Sequence, residues 1–116
     1  LEDYLITGWE GRYLQLDAND ILAMVSTWQH GDISDNPLYQ GEFLKALDSI
    51  KAKAIVMPSR TDQYFPPEDN EVEVSHMPNA ELRVIPTIWG HIGGGPGRNP
   101  ADTRFIDDAL KELLAS

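Results

Sequence analysis

Five consecutive apolar residues, Ala54-Ile55-Val56-Met57-Pro58, constrain this chain more than any other feature. A short unbroken run of this kind suits a strand buried on both faces, as strands of parallel sheets are. A polar loop, Ser59 to Pro66, comes next, and then a helix start. Pro67 fits the first helical position, and Glu68 and Asp69 fit the positive end of the helix dipole. The alternation Glu71-Val72-Glu73-Val74 leaves a strand open as a second reading there. A turn at Met77-Pro78-Asn79-Ala80 leads into a second strand marked by Leu82, Val84 and Ile85, and a Gly-rich loop runs from Thr87 to Arg98.

The last element is the best defined. Asn99 is placed to cap a helix, Pro100 to occupy its first position and Asp102 its first turn. Phe105, Ile106, Ala109, Leu110, Leu113 and Leu114 form one apolar stripe that has to pack on something. The order strand, loop, helix, strand, loop, helix predicts an α/β fold in which two parallel strands are joined by a crossover helix. Residues 52–116 are therefore assigned to a βαβα unit.

Residues 1–51 read as a separate helical segment. Leu1 to Gln15 is apolar and aromatic without a clean period, which suggests a short helix broken near Gly8 or Gly11. Asp17 is placed to cap a helix from Ala18 to about Gln29, with Ile21, Met24, Val25 and Trp28 on one face. Gly31 ends it, Ser34-Asp35-Asn36-Pro37 is turn chemistry, and Phe43, Leu44, Leu47 and Ile50 mark a second amphipathic helix reaching about Lys51.

Charge and composition restrict the function classes. Nineteen acidic against nine basic residues give a net charge of −10, which repels nucleic-acid backbones and anionic lipid. No apolar run approaches the roughly 20 residues of a membrane helix, so neither nucleic acid nor membrane is expected as a partner. The absence of cysteine excludes disulfides, zinc–thiolate sites and a cysteine nucleophile. It also suits a cytoplasmic location. The chain opens on Leu1 rather than Met and shows no basic, apolar leader, which suggests a cleavage product or an internal start.

The topology brings two chemistry-bearing residues to one edge of the sheet, because groups after parallel strands collect at their carboxyl ends. Asp62 follows the first strand and His91 the second. Taken singly, Asp62 in Ser-Arg-Thr-Asp-Gln is equally a turn former and His91 equally an exposed loop histidine. Taken together they make a dyad. The carboxylate accepts the imidazole Nδ1–H and fixes the tautomer, and the imidazole moves a proton between nucleophile and leaving group. Their order, acid before base, is that of the α/β-hydrolases. His30 falls at a helix C-terminus, where a cation suits the dipole, and His76 at a surface helix or turn; both are read as structural.

The nucleophile is missing. No Gly-x-Ser-x-Gly occurs, and none of Ser26, Ser34, Ser49, Ser59, Ser75 and Ser116 sits in a Gly-flanked turn after a strand. No metal-ligand spacing is present. Gly93-Gly94-Gly95-Pro96-Gly97 lacks the Lys-Ser/Thr of a phosphate loop and is read as a flexible loop beside His91.

Several blocks together resemble the homoserine O-acetyltransferase-like branch of the α/β-hydrolases. They are Asp17-Ala18-Asn19-Asp20, Thr27-Trp28-Gln29-His30-Gly31-Asp32, Met57-Pro58-Ser59-Arg60-Thr61-Asp62, Phe65-Pro66-Pro67-Glu68, Met77-Pro78-Asn79-Ala80 and Trp89-Gly90-His91. The resemblance spans the whole chain but only the C-terminal third of such a protein. It implies a Ser–Asp–His triad with Asp62 as acid and His91 as base, and first helices that form part of a cap which helps make dimers. Two positions depart from that branch. Ile92 stands where an acidic residue usually follows the histidine, and Ile21-Leu22 stand where a tyrosine is usual.

The resemblance therefore implies the C-terminal fragment of a serine-dependent acyltransferase, inactive alone and associating with itself. Its intact parent would act on a small acyl substrate, with no bound cofactor and with acetyl-CoA as an acyl donor. An esterase or amidase of the same superfamily is the alternative, and a non-catalytic association module the third reading.

Overall fold

A computed structural model describes residues 1–95, 97 and 99–115; Pro96 and Arg98 of the expected Gly-rich loop, and Ser116, lie outside the described residues. The chain forms two compact units, Leu1–Ile33 and Ser34–Ser116.

The first unit is helical. Glu2–Tyr4 (α1) runs through a π-helical stretch, Leu5–Glu10, into Gly11–Tyr13 (α2), and Ala18–His30 forms α3. The expected break at Gly8 or Gly11 does not occur. The backbone widens instead, and Gly11 N–H reaches Ile6 O, five residues back. Gly8 also leaves room for the Tyr4 ring, which an added Cβ would approach to 3.3 Å. Helix α3 begins where Asp17 predicts, with the Asp17 carboxylate accepting Asn19 N–H at 2.7 Å. His30 closes it, its Nδ1–H donating to Ser26 O at 2.7 Å. No residue of α3 is buried within this unit, and Met24 and Trp28 are more than 60% exposed.

The second unit contains Phe43–Asp48 (α4), Ala54–Val56 (β1), Pro67–Ser75 (α5), Ala80–Leu82 (β2), a 3₁₀ turn at Gly90–Ile92 and Pro100–Leu114 (α6). The strands are parallel, with Ala54 opposite Ala80, Ile55 opposite Glu81 and Val56 opposite Leu82. Pairing outlasts the strands. Arg83 N–H donates to Val56 O and Ile85 N–H to Pro58 O, both at 2.8 Å, and Arg60 N–H returns to Ile85 O at 3.0 Å. This extended ladder carries the two loops after the strands side by side.

The strand expected to be buried on both faces is only half-buried along Ala54–Val56. Among the described residues β1 and β2 pair with each other alone, so each keeps an open edge. The segment Glu71–Val74 is helix rather than strand. Pro67 at the first position, with Glu68 and Asp69 in the first turn, starts α5 and overrides the local alternation.

The core is small. Ala46 and Leu47 of α4, Ile85 beyond β2 and Ala109 of α6 are its buried apolar residues. Full burial of a side chain such as Leu47 or Ile85 stabilises the unit by about 1.5–3 kcal/mol. Helix α6 starts on an Asn99 cap, whose side chain accepts Ala101 N–H at 3.1 Å, and it packs against β1. Its stripe is used unevenly: Ala109 is buried and Ile106 half-buried, while Leu110 and Leu114 are exposed. Arg83 ties the end of β2 to α6 through a fork to both carboxylate oxygens of Glu112, at 2.7 and 3.1 Å. Asp102, in the first turn of α6, is buried, with Oδ2 accepting no hydrogen bond among the described residues.

Candidate active site

The loop after β1 turns tightly because Asp62 N–H donates to Ser59 O at 3.0 Å. The Asp62 side chain then orders the residues after it. Its Oδ1 accepts the backbone N–H groups of Tyr64 at 2.8 Å and Phe65 at 3.2 Å. This is an aspartate-capped turn, so the turn-former reading of Asp62 holds at Oδ1. Oδ2 lies 3.1 Å from His91 Nδ1. Asp62 is buried, whereas the His91 ring is about half-exposed.

His91 sits in the 3₁₀ turn Gly90–Ile92, on the loop after β2. Gly90 has φ +57°, a left-handed conformation that glycine adopts without a Cβ clash. Two rings hold the imidazole. Tyr64 meets it edge-on at 5.0 Å and Phe65 lies tilted against it at 5.5 Å. Neither aromatic was expected at the site. The signal was their position two and three residues after Asp62, where the capped turn folds them back toward His91.

Burial alone would raise the Asp62 pKa. The Tyr64 N–H, the His91 imidazole and the Phe65 N–H outweigh it and hold the carboxyl below its ordinary 3.8. Asp62 is thus ionised at neutral pH and only accepts hydrogen bonds. His91 Nδ1 must then be the donor, which leaves the lone pair of the neutral ring on Nε2.

The same shift gives stability a pH dependence. A lowered folded-state pKa contributes stability that is present above 3.8 and lost as pH falls through the folded value. Replacing Asp62 with asparagine is expected to flatten the fall in stability with acid in that window, measured by urea unfolding across pH. Equal slopes in the two proteins would refute the pairing.

The groups border a hollow of about 440 Å³ whose walls include Met57, Ser59, Asp62, Phe65, His91 and Gly93. No serine in the described residues stands at a strand-to-helix elbow. Ser26 lies within α3, and Ser34 is buried in a turn. The Ser49 hydroxyl binds Ala46 O, and the Ser75 hydroxyl binds Val72 O. Ser59 borders the hollow, but it sits in the ladder opposite Ile85 with Pro58 and Arg60 beside it. The structure therefore brings Asp62 and His91 together without a nucleophile of elbow geometry. No metal-holding group of three acidic or histidine side chains, and no helix long and apolar enough to cross a membrane, occurs among the described residues.

No family model matches the chain. It is 41% identical over 106 residues to a probable esterase of Corynebacterium glutamicum, covering 90% of this chain and 29% of that protein. It is 39% identical over 113 residues to an ethyl acetate hydrolase of Pseudomonas veronii, covering 96% of this chain and 31% of that one. A homoserine O-acetyltransferase of Chloroherpeton thalassium matches at 28% over 115 residues, covering 98% and 27%. The structure superposes on that of the acetyl esterase MekB with a TM-score of 0.82 at 38% identity, covering 97% of this chain and 32% of that one. An acetylester hydrolase from Corynebacterium glutamicum gives a TM-score of 0.79 at 32% identity, covering 100% and 33%.

The chain thus spans about a third of the length of these relatives. The acyltransferase resemblance is real but weaker than the likeness to esterases. With its parallel strands, crossover helix and paired strand-end loops, this is an α/β protein with the fold of the C-terminal part of an α/β-hydrolase.

Proposed function

We propose that this chain supplies the acid and the base of a serine esterase that cleaves small acyl esters, with the nucleophile carried by a part of the enzyme outside these 116 residues. The 3.1 Å contact between ionised Asp62 and His91 Nδ1 carries the reading. In it, His91 Nε2 takes the proton of the serine hydroxyl as the serine oxygen bonds to the ester carbonyl carbon. The tetrahedral intermediate then collapses, the bond to the alcohol breaks, and the alcohol leaves with the proton from Nε2. Water repeats both steps on the acyl-enzyme and releases the acid. Asp62 stays ionised throughout and steadies the imidazolium.

This chemistry needs no resident cofactor. A second reading, acyl transfer, is favoured by the 28% identity to a homoserine O-acetyltransferase. It differs in the final acceptor, with acetyl-CoA as donor and a hydroxyl in place of water. Ile92, where that branch usually carries an acidic residue, speaks for hydrolysis.

The test compares this chain with the full-length enzyme. The 116-residue chain alone should not turn over p-nitrophenyl acetate, and the full-length protein should. Turnover by the isolated chain that vanishes with His91→Ala would overturn the division of the site. A full-length protein that acetylates homoserine from acetyl-CoA and leaves the ester untouched would overturn the esterase reading.

A further inference from the structure

We infer that Thr61 is a positioning residue that sets the base against the acid by clamping the two strand-end loops together. The inference rests on Asp62 and His91 being the acid–base pair proposed above. Thr61 immediately precedes the acid, and its hydroxyl reaches across 29 residues to the backbone immediately before the base: Gly90 N–H donates to Thr61 Oγ1 at 3.0 Å. The same hydroxyl donates to Thr87 O at 3.4 Å. One side chain thus accepts from one end of the 87–90 segment and donates to the other.

Gly90 adopts φ +57°, and a Cβ there would stand 3.4 Å from Thr61 O, so the two backbones already run close. Thr87 is buried, and its own hydroxyl accepts Trp89 N–H at 3.3 Å, shaping the turn that delivers Gly90 to Thr61. The Asp62–His91 hydrogen bond joins side chains, one of them half-exposed. The Thr61–Gly90 bond joins the loops that carry them. Without it, the imidazole would keep its ring contacts to Tyr64 and Phe65 but lose the fixed backbone position that directs Nδ1 at Oδ2.

The test uses proton exchange in the 116-residue chain and needs no turnover. Thr61→Val keeps the branched shape and removes both hydrogen bonds. His91 Nδ1–H, followed by NMR, should then exchange with solvent about tenfold faster, the scale of one lost hydrogen bond. Thr61→Ser retains the hydroxyl and should restore the wild-type rate. The paired amides of Ala54 and Arg83 report on the sheet and should stay unchanged. Unchanged His91 exchange in Thr61→Val, with those amides intact, would overturn the inference. Should Thr61→Val fail to fold, the wild-type Gly90 amide decides. Protection supports the clamp, and exchange at the rate of an open loop refutes it. A wrong acid–base reading would show separately, as full-length enzyme whose activity survives Asp62→Asn.

Discussion

In the full-length esterase proposed here, replacing His91 with alanine should lower kcat by about 10⁴–10⁶-fold, the scale on which serine hydrolases respond to loss of the base. Asp62→Asn should cost about 10⁴-fold by a different route. The amide places an N–H donor where Oδ2 accepts, so the imidazole is driven toward the tautomer that leaves its lone pair on Nδ1. KM should move far less than kcat in both, because neither side chain is asked to bind the ground state more strongly than the transition state. Steady-state kinetics with p-nitrophenyl acetate is the measurement. A loss below tenfold for His91→Ala would remove it from the reaction.

The second large effect is expected at Gly93, just after the 3₁₀ turn that carries His91. Its φ of −61° is one that any residue adopts, so only space forbids a side chain. An added Cβ would stand 2.4 Å from Thr87 Cγ2, 2.6 Å from Ser59 Oγ and 3.0 Å from Gly90 O. Thr87 and Ser59 are both buried and have little room to retreat. Gly93→Ala should therefore destabilise the chain by about 1–3 kcal/mol, the usual range for overpacking. It should also move the loop, and a misplacement of about 1 Å costs on the order of 10² in rate. Urea unfolding of this chain and kcat of the full-length protein report the two parts. Stability and rate both at wild-type level would show that the loop has slack that these distances deny. Gly94 differs in kind: its φ of +75° strains any side chain, and a Cβ there would also stand 2.9 Å from the Cδ1 atoms of Ile85 and Ile106.

The contrast between Gly93 and its neighbours shows where sequence reasoning succeeds and where it stops. Caps and helix starts are local chemistry, and they were legible. Asp17 and Asn99 cap the helices they precede, and Pro67 and Pro100 occupy first positions as expected. The pairing of Asp62 with His91 was legible through topology, because two parallel strands must deliver their following loops to one edge. The local alternation at Glu71–Val74 suggested a strand but was overruled by a proline and two carboxylates upstream. The π-helical stretch Leu5–Glu10 left no periodic trace, since a single wide turn only blurs a helical pattern. The Thr61–Gly90 bond depends on the loops lying side by side, and nothing in either loop alone announces it.

The capped turn at Asp62 carries a last consequence. The two oxygens of this carboxylate are not interchangeable: Oδ1 is committed to the Tyr64 and Phe65 amides, and Oδ2 faces the imidazole. The group cannot spin about its final bond without giving up one set of partners. The choice of aspartate over glutamate is therefore made by loop architecture and not by acidity. A glutamate offers the same charge, but its extra methylene pushes the head group past the reach at which one oxygen can hold the turn while the other meets the ring. Chain reversal and the hold on the imidazole are written into one side chain, and neither can drift without the other.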